Sequence, residues 1–405
     1  MTGEGAGRAG RPVVLFGAFD RHNFGDLLFP HLAAAMLPGR KLLFAGLADR
    51  DLRPWGGHCV QALPRLVAGL AGRPVTLIHV GGELLTCSAW QAAAMLLPPG
   101  EAAHVIPYLE SRPAARRAWV RRSIGTDSPA PYLVPRALLP PGSRVIYHAV
   151  GGVELPHCAA AIRAEAAARL EEADFVSVRD SRTLAWVQAA GLEVRLVPDG
   201  ALLAARRFGP RIRRHALQGE VARLRETFPG GYLAVQFAAE AADDASLDAL
   251  SAGLRRVAAA TGLGIALFRA GLAPWHDELS GLRRLALRLD GLPVQVFEGA
   301  GLWDICALIA SSRGYCGSSL HGRILAMAFA LPRLGLEVRS AGLPGKHASF
   351  AHTWEPAPLD RVAGMGAAGD ALLAALGDDP AIRIRTARRL AAECARGYEG
   401  MRAAA

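Results

Sequence analysis

The sequence predicts an α/β protein with two Rossmann-like, doubly wound domains in series and a cleft between them. Three observations lead to this prediction. The chain has 405 residues, which is more than one ordinary core accommodates. Its residues are 51% hydrophobic, which suffices for two sizeable cores. Short apolar runs alternate along the chain with longer segments of helical periodicity, and this alternation is typical of βαβ units.

The first series of elements, over residues 12–208, is predicted to form an N-terminal Rossmann-like domain. Its strand candidates are continuous apolar runs, as in a parallel sheet that is buried on both faces. The predicted strands are Pro12–Phe19, Lys41–Leu47, Val75–Val80, Val145–Val150, Phe175–Val178 and Val194–Val197. The predicted helices include Leu27–Leu37, Ala159–Leu170 and Ser181–Ala190.

The second series, over residues 209–360, follows an arginine-rich joint at Arg206–Arg214 and is predicted to form a C-terminal Rossmann-like domain. The predicted strands are Tyr232–Phe237, Gly264–Phe268, Val294–Phe297, Gly314–Cys316 and Arg333–Val338. The predicted helices are Ala245–Thr261, Glu278–Leu289 and Leu302–Ser311. Residues 371–402 are predicted to form one or two amphipathic helices that pack on the domains, with Ile384, Leu390 and Tyr398 facing inward.

We interpret the basic excess of the chain as a compositional bias rather than as a nucleic-acid surface. The formal net charge is +10, and all of the 46 basic residues except Lys41 and Lys346 are arginines. The arginines are scattered along the chain, and only 6% of the residues are aromatic, which argues against a stacking platform for nucleic acid. We therefore expect no nucleic-acid partner.

The cysteines and the apolar runs indicate where the protein works. The 6 cysteines contain no Cys-x-x-Cys pair, which favours a reducing compartment and buried thiols. The Gly/Arg-rich N-terminal tail has no apolar signal-peptide core, and no apolar run reaches transmembrane length. The sequence predicts a soluble, cytoplasmic protein and leaves open a peripheral membrane contact through its C-terminal helices.

A glycine-rich turn, Gly317–Arg323, joins a predicted strand to a predicted helix. Backbone N–H groups gather at the N-terminus of a helix, and anions bind well there. The turn carries His321, whose side chain exchanges a proton near neutral pH. These features predict chemistry on an anionic, phosphorylated substrate. The residues of the turn that we expect to bind the anion are Ser318, Ser319, Gly322 and Arg323.

Polar loops also follow three strands of the first predicted domain. Ligands of doubly wound sheets gather beyond the carboxyl ends of the strands, so these loops are expected to face the cleft. Arg179 follows one strand directly. The other loops supply Asn23, Gly25, Asp26, Gly81, Gly82 and Glu83, which are predicted to line the acceptor side of the cleft.

Five short motifs in these loops resemble those of the polysaccharide pyruvyl transferase family, in the same order along the chain. They are Asn23-Phe24-Gly25-Asp26, Gly81-Gly82, Ser177-Val178-Arg179-Asp180, Pro198-Asp199 and Leu320-His321-Gly322. Each motif alone is weak, but the resemblance extends from about Val13 to about Phe350. It implies a GT-B-like fold, named after the two-Rossmann glycosyltransferases.

The resemblance also implies an activity. Family members move an enolpyruvyl-derived group from phosphoenolpyruvate onto a sugar and form a pyruvate ketal across two hydroxyls. Phosphoenolpyruvate is then a co-substrate, and no cofactor and no metal are expected. The acceptor is expected to be a glycan of an envelope polysaccharide or its lipid-linked precursor. The resemblance implies that His321 is the essential histidine and that Arg179 binds the donor.

The chain departs from the family pattern at three positions. Ser319 stands where many members have arginine before the Leu-His-Gly sequence. Glu83 stands where a third glycine often follows Gly81-Gly82, and Leu27 stands where an acidic residue usually follows Asp26. These departures bear on the donor and the acceptor more than on the fold.

Each donor-side residue has a structural alternative. His321 is predicted to act as a general acid or base, and the alternative is a histidine that caps a helix. Arg179 is predicted to hold phosphate or carboxylate bidentately, helped by Arg323, Arg21 and Lys346. Its alternative is an ion pair with Asp180 or Asp199. Ser318 and Ser319 could bind the anion or simply cap the helix.

The acceptor-side residues have alternatives of the same kind. Asn23, Gly25 and Asp26 suit either a site or a tight turn with a helix cap. Glu83 could activate an acceptor hydroxyl or could be a solvated loop carboxylate. Asp199 could orient Arg179 or bind acceptor hydroxyls. Glu337, at the end of a strand, could hold a ribose or be a loop charge.

Two rival functions stay open at this point. A sugar-nucleotide glycosyltransferase with the same architecture could place a diphosphate at the same helix N-terminus. A catalytically silent homologue could bind a glycan without turnover. Fold-level analogy alone does not separate these from a pyruvyl transferase.

Overall fold

The computed structural model describes residues 11–337 and 345–405. The first domain is built around an eight-stranded sheet. All neighbouring strands are parallel except β3 and β4. The strand order is β3-β4-β2-β1-β5-β6-β7-β8, so the order reverses between β1 and β5. The strands are β1 (Val13–Phe16), β2 (Leu42–Gly46), β3 (Arg50–Asp51), β4 (Cys59–Ala62), β5 (Thr76–Val80), β6 (Arg144–Val150), β7 (Phe175–Val178) and β8 (Arg195–Leu196).

Helices cover both faces of this sheet and lead into the second domain. They are α1 (Phe24–Met36), α2 (Leu63–Gly69), α3 (Ala89–Met95), α4 (Pro99–Glu110), α5 (Pro113–Ile124), α6 (Ala160–Glu171), α7 (Ser181–Ala189), α8 (Ala204–His215) and α9 (Gly219–Thr227). The predicted arginine-rich joint is therefore the helix α8, whose Ile212 is buried.

The second sheet has six strands, all parallel, in the order β11-β10-β9-β12-β13-β14. The strands are β9 (Tyr232–Gln236), β10 (Gly264–Leu267), β11 (Val294–Val296), β12 (Gly314–Gly317), β13 (Arg333–Leu336) and β14 (Val362–Ala363). The helices are α10 (Asp244–Thr261), α11 (Leu279–Arg288), α12 (Leu302–Ser311), α13 (Leu320–Ala328), α14 (Lys346–Trp354), α15 (Ala368–Leu376) and α16 (Pro380–Ala404).

The prediction of an α/β protein with two doubly wound sheets is confirmed. The sequence did not predict β3, β4 and β14. Strands β3 and β14 are edge strands, β4 lies next to β3, and all three are short or partly exposed, so they lack a continuous apolar run. Strand β14 extends the second sheet just past residue 360. Two predictions concern residues outside the described ranges, namely the end of the last strand at Val338 and most of the N-terminal tail.

The C-terminal helix α16 crosses back to the first domain. The carbonyl oxygen of Ala404 accepts a hydrogen bond from Arg144 at 2.8 Å, and that of Ala405 accepts one from Thr76 at 3.1 Å. Leu390 and Tyr398 are buried as predicted. The prediction for Ile384 was wrong: it is 41% exposed, because it lies off the helix face on which the buried residues recur every three or four positions.

One apolar cluster runs through both domains. Phe24 and Leu28 of α1 belong to the same buried cluster as Leu302 and Ile305 of α12. Asn23 also forms an isolated antiparallel bridge with the backbone of Gly271 in the second domain. The loop after β1 is therefore fixed against the second domain, and the carboxyl ends of the two sheets face a common space.

A buried ion triad supports the second domain. Arg323 Nε donates to Glu355 Oε1 at 2.8 Å, and Arg333 Nε donates to Glu355 Oε2 at 2.9 Å. All three residues are buried. A carboxylate between two buried guanidinium groups neutralises charge that the interior would otherwise leave unpaired.

Replacing Glu355 by alanine should destabilise the protein by about 3–5 kcal/mol, because it leaves two buried guanidinium groups without a counter-ion. Urea denaturation followed by circular dichroism measures this loss. The matched control is Asp370→Ala, which removes an exposed partner of Arg256 at 3.3 Å and should cost about 0–1 kcal/mol. Equal denaturation midpoints for the two variants would show that the triad does not stabilise the fold.

Candidate active site between the two domains

The backbone holds Arg179 at the carboxyl edge of the first sheet. Its N–H donates to the carbonyl oxygen of Val150 at 3.2 Å and so extends the pairing of β6 and β7 by one residue. The next residue, Asp180, caps α7 by accepting a hydrogen bond from the N–H of Thr183 at 2.9 Å. The Arg179 carbonyl oxygen also accepts a hydrogen bond from the Trp354 indole at 2.7 Å. The position of the Arg179 backbone is therefore fixed from both sides.

Two carboxylates hold the Arg179 side chain, which is 2% exposed. Its Nη1 donates to Asp199 Oδ2 at 2.9 Å, and its Nη2 donates to Glu83 Oε2 at 2.6 Å. Burial alone would lower the pKa of Arg179, but Glu83 and Asp199 outweigh it and raise that pKa. The ion pair with Asp199 that the sequence left as an alternative is present, and Glu83 forms a second one.

The imidazole of His321 comes from the other domain and meets this guanidinium. His321 is the second residue of α13, whose N-terminus Ser319 caps by accepting a hydrogen bond from the N–H of Gly322 at 3.3 Å. The distance from His321 Nε2 is 3.3 Å to Arg179 Nη1 and 3.8 Å to Asp199 Oδ2. The two domains thus supply an imidazole and a guanidinium that lie in contact.

Helix α1 shapes the space that the imidazole occupies. Phe29 meets the ring of His321 edge to face, with ring centroids 5.0 Å apart. A Cβ atom on Gly25 would lie 2.0 Å from His321 Nδ1. Only glycine at this position lets the imidazole lie against the start of α1.

Burial lowers the pKa of His321 to about 4. The carboxylate of Asp199 opposes this shift, and the positive charges of Arg179 and Lys346 reinforce it. The imidazole is therefore neutral at physiological pH, and its Nε2 can accept the hydrogen bond from Arg179. In this state His321 can take up a proton but has none to give as an imidazolium.

A cavity of about 150 Å³ lies between the domains at this point. Residues from both carboxyl edges line it. The predicted site residues that it brings together are Asn23, Asp26, Glu83, Arg179, Ser318, Ser319, His321 and Lys346. It also contains four polar residues that were not in the predicted site or were named only as helpers, namely Arg21, Gln236, His276 and Asp277.

Gln236 organises the second-domain side of the cavity. Its Nε2 donates to Asp277 Oδ1 at 2.8 Å, and its Oε1 accepts a hydrogen bond from the N–H of Ser319 at 2.8 Å. The Ser318 hydroxyl accepts a hydrogen bond from the N–H of Ala238 at 2.9 Å. One amide side chain thus ties the serine turn to the carboxyl group of Asp277.

Asp277 is a carboxyl group that can be protonated near neutral pH. Burial raises the pKa of Asp277 to about 7, although the N–H groups of Ala270 and Gln236 stabilise the carboxylate. Because this pKa lies close to the pH of a cell, the neutral acid is well populated. Asp277 can therefore offer a proton inside the same cavity in which His321 can accept one.

The cavity contains cations that can bind an anion. Burial raises the pKa of Asp26 to about 6, although Arg21 and Arg179 oppose the shift. Arg21 and Arg179 keep their full charge, and within the described residues Lys346 forms no ion pair. Three cations thus line the cavity beside three carboxyl groups, and protonation of Asp26 and Asp277 is what leaves the cations in excess.

Among the predicted site residues outside the lining of this cavity are two with charged side chains that form other contacts, Arg323 and Glu337. The guanidinium of Arg323 is fully buried on the other side of α13, where it donates to Glu355 and to the carbonyl oxygens of Leu359 and Arg361. The prediction that Arg323 binds the anion was wrong, because all of these bonds point away from the cleft. Glu337 is also absent from the lining, and its carboxylate accepts a hydrogen bond from the N–H of Gly345.

The predicted glycines and Asp199 support the site rather than line it. Gly81 and Gly82 have φ values of +82° and +84°, so a side chain at either position would be strained. A Cβ atom on Gly322 would lie 2.4 Å from the Tyr315 hydroxyl oxygen. Asp199 is fully buried and orients Arg179, which leaves it unable to bind an acceptor hydroxyl.

A sequence model of the polysaccharide pyruvyl transferase family matches residues 124–340, which is more than half of the chain. This chain belongs to that family. The matched segment includes both Arg179 and His321. As a member of the polysaccharide pyruvyl transferase family, the protein is a transferase of polysaccharide biosynthesis. No curated protein matches its sequence closely enough to count as a relative.

Solved structures resemble the whole chain in fold. The UDP-GlcNAc 2-epimerase of Methanocaldococcus jannaschii has a TM-score of 0.56 and 10% identity, and the match covers 94% of this chain and 99% of that protein. The UDP-N-acetylglucosamine 2-epimerase of Rickettsia bellii has a TM-score of 0.54 and 11% identity, and the match covers 96% of this chain and 95% of that protein. At such low identity these proteins show the fold alone. They confirm that this chain has a GT-B-like fold.

In the described part of the chain, no helix combines the length with the apolar run that crossing a bilayer demands.

Proposed function

We propose that this protein transfers the enolpyruvyl-derived group of phosphoenolpyruvate to a sugar of an envelope polysaccharide or of its precursor, forming a pyruvate ketal. The observation that carries the proposal is the meeting of Arg179 and His321, from opposite domains, at one cavity that three cations line. The cavity volume of about 150 Å³ suits a small anion better than a nucleotide sugar, since drug-sized ligands fill about 300–1,000 Å³.

We assign the two anionic groups of the donor to different cations. Lys346 and Arg21 face the cavity and are suited to the phosphate. Arg179 has its Nη atoms occupied by carboxylates, of which Glu83 has a side chain 29% exposed and Asp199 one that is fully buried. Glu83 is thus the partner that a donor carboxylate can displace, while Asp199 keeps the guanidinium oriented.

The reaction needs one proton delivered to carbon and two removed from hydroxyls. The carboxyl proton of Asp277 goes to the donor methylene carbon, which becomes a methyl group. The first acceptor hydroxyl bonds to the neighbouring carbon, and its proton passes to His321. The carbon–oxygen bond to phosphate then breaks, and the second hydroxyl takes its place and gives its proton to the departing phosphate. The proton on His321 returns to Asp277 through water.

The pKa values support this division of roles. A neutral imidazole whose pKa is about 4 in the free enzyme is a base and not an acid at physiological pH. A bound phosphate and carboxylate raise that pKa, which strengthens the base when the donor is present. Asp277, with a pKa of about 7, holds the proton that protonation of carbon requires. The sequence had assigned both proton transfers to His321.

Phosphate release from phosphoenolpyruvate, measured with a panel of glycan acceptors, tests the proposal. Wild-type protein should release phosphate only with an acceptor that carries a suitable diol, and the product should carry a ketal methyl group detectable by NMR. His321→Ala should be at least about 100-fold slower because the base is lost. Arg256→Ala, an exposed change, is the control.

Three outcomes would contradict the proposal. Nearly full activity of folded His321→Ala would remove the assignment of the base. Turnover of a nucleotide sugar in place of phosphoenolpyruvate would favour a glycosyltransferase. Binding of glycan without turnover of any donor would favour a silent homologue.

The pH dependence of kcat/KM tests the role of Asp277. In wild-type protein kcat/KM should fall as the pH rises through about 7, because Asp277 loses its proton. It should also fall as the pH drops through about 4, because His321 becomes protonated. Asp277→Asn should be about 100-fold slower and should lack the alkaline limb. An unchanged alkaline limb in this variant would show that another group donates the proton.

A further inference from the structure

Asp277, to which we assign the proton transfer to carbon, lies at the end of a loop that follows β10. We call residues 270–277 the Asp277 loop. One carboxyl oxygen of Asp277, Oδ1, accepts a hydrogen bond from Gln236 at 2.8 Å. The other, Oδ2, accepts one from the N–H of Ala270 at the opposite end of the loop. The position of the carboxyl group therefore depends on where Ala270 is held.

The first domain reaches Asp277 through this single residue, Ala270. The carbonyl oxygen of Ala270 accepts a hydrogen bond from the N–H of Phe24 at 2.9 Å, while the N–H of Ala270 donates to Asp277. Beside it, Asn23 and Gly271 form the antiparallel bridge between the domains. A shift of the loop away from the first domain would therefore carry the Ala270 N–H away with it and release the carboxyl group.

His22 forms a second connection from the first domain to the Asp277 loop. Its carbonyl oxygen accepts hydrogen bonds from the N–H groups of Leu272 and Ala273 at 3.1 and 3.2 Å. The carbonyl oxygen of Ala273 in turn accepts one at 3.2 Å from the N–H of His276, the residue before Asp277. Two hydrogen-bonded routes thus run from the segment after β1 to the end of the loop.

The buried imidazole of His22 joins two loops of the second domain. Its Nε2 donates to the carbonyl oxygen of Ala300, after β11, at 2.8 Å. Its Nδ1 therefore carries no proton and accepts a hydrogen bond from the N–H of Leu272 at 3.2 Å. Burial lowers the pKa of His22, and the positive charge of Arg269 reinforces this shift, so the ring stays neutral and keeps both bonds.

The Asp277 loop contains a strained residue that needs such support. Trp275 has a φ of +64°, in the left-handed region, which is unfavourable for a bulky side chain. The Trp275 side chain is 43% exposed and meets Trp90 edge to face, so its own packing gives this conformation little support. Strained residues persist where the surrounding structure fixes them, and here the hydrogen bonds from His22 and Phe24 fix both flanks of the turn.

We propose that His22 is a positioning residue, whose imidazole holds the Asp277 loop against the first domain and so places the Asp277 carboxyl group at the reacting carbon. This inference rests on the proposed function, in which Asp277 is the proton donor. The carboxyl group is then in place only while the two domains are docked, which couples proton transfer to the domain contact. His22 is absent from the lining of the cavity between the domains, so it acts through the loop and not on the substrate.

Hydrogen–deuterium exchange of the full chain, followed by mass spectrometry, tests the contact without requiring turnover. His22→Phe keeps a ring of similar size but loses both nitrogen atoms, so the amides of residues 269–280 should exchange at least about ten-fold faster. His31→Phe is the matched control, because it removes a bond of the same kind that stays within the first domain, from Nε2 to the carbonyl oxygen of Gly56 at 2.8 Å. Exchange over residues 269–280 should then stay within about two-fold of wild type.

Steady-state kinetics separates positioning from packing. His22→Phe should lower kcat at least about ten-fold, because a misplaced proton donor slows the chemical step. Its affinity for phosphoenolpyruvate, measured calorimetrically, should stay within about two-fold of wild type, because Arg21 is held separately by the Tyr132 hydroxyl at 3.2 Å. His22→Gln retains an N–H donor for Ala300 and should restore kcat to within about three-fold of wild type. Circular dichroism checks that each variant is folded.

Equal exchange of residues 269–280 in wild type and His22→Phe would overturn the inference. So would an unchanged kcat in His22→Phe, or a kcat in His22→Gln as low as in His22→Phe, since either result leaves the hydrogen bonds of the ring without a role. A loss of phosphoenolpyruvate affinity as large as the loss of kcat would place His22 in donor binding instead. If wild-type protein releases no phosphate from phosphoenolpyruvate, the proposed function is refuted, and the exchange measurement alone decides whether His22 holds the loop.

Discussion

The pairing of Arg179 with Asp199 and Glu83 is the interaction on which the site depends. A buried guanidinium is costly unless it is paired and hydrogen-bonded, and these two carboxylates supply that compensation. The fixed guanidinium contacts His321 of the other domain and helps to keep its pKa low. Burial is the main cause of the neutral state of the base, and Arg179 reinforces it although the two residues belong to different domains. The packing of Gly25 against the imidazole fixes the same contact from the side of α1.

The sequence alone predicted the strands that are continuous apolar runs and the polar residues that directly follow them. Arg179 and Glu83 could be found because each lies at the carboxyl end of a buried parallel strand. Asp277 could not, because it lies ten residues beyond β10 in a loop without regular spacing. Arg323 was misassigned because it stands in the same turn as His321. Two residues along a helix rotate a side chain by about 200°, which turns Arg323 into the core.

The fold of this chain and its chemistry have different determinants. UDP-GlcNAc 2-epimerases share the arrangement of two sheets at 10–11% identity, so the arrangement itself does not select a ligand. Selection comes from side chains at the carboxyl edges, where three cations surround carboxyl groups with raised pKa values. The family, the cations of the cavity and its volume of about 150 Å³ all agree with a small anionic donor.

Calorimetric titration of phosphoenolpyruvate into wild-type protein and into Arg179→Lys tests the central claim most directly. Lysine keeps the positive charge but cannot bridge Asp199 and Glu83 as the planar guanidinium does. The account predicts that phosphoenolpyruvate binds wild-type protein, that it binds Arg179→Lys at least about ten-fold more weakly, and that UDP-GlcNAc binds neither. Equal affinity of phosphoenolpyruvate for the two proteins, with both folded, would contradict it.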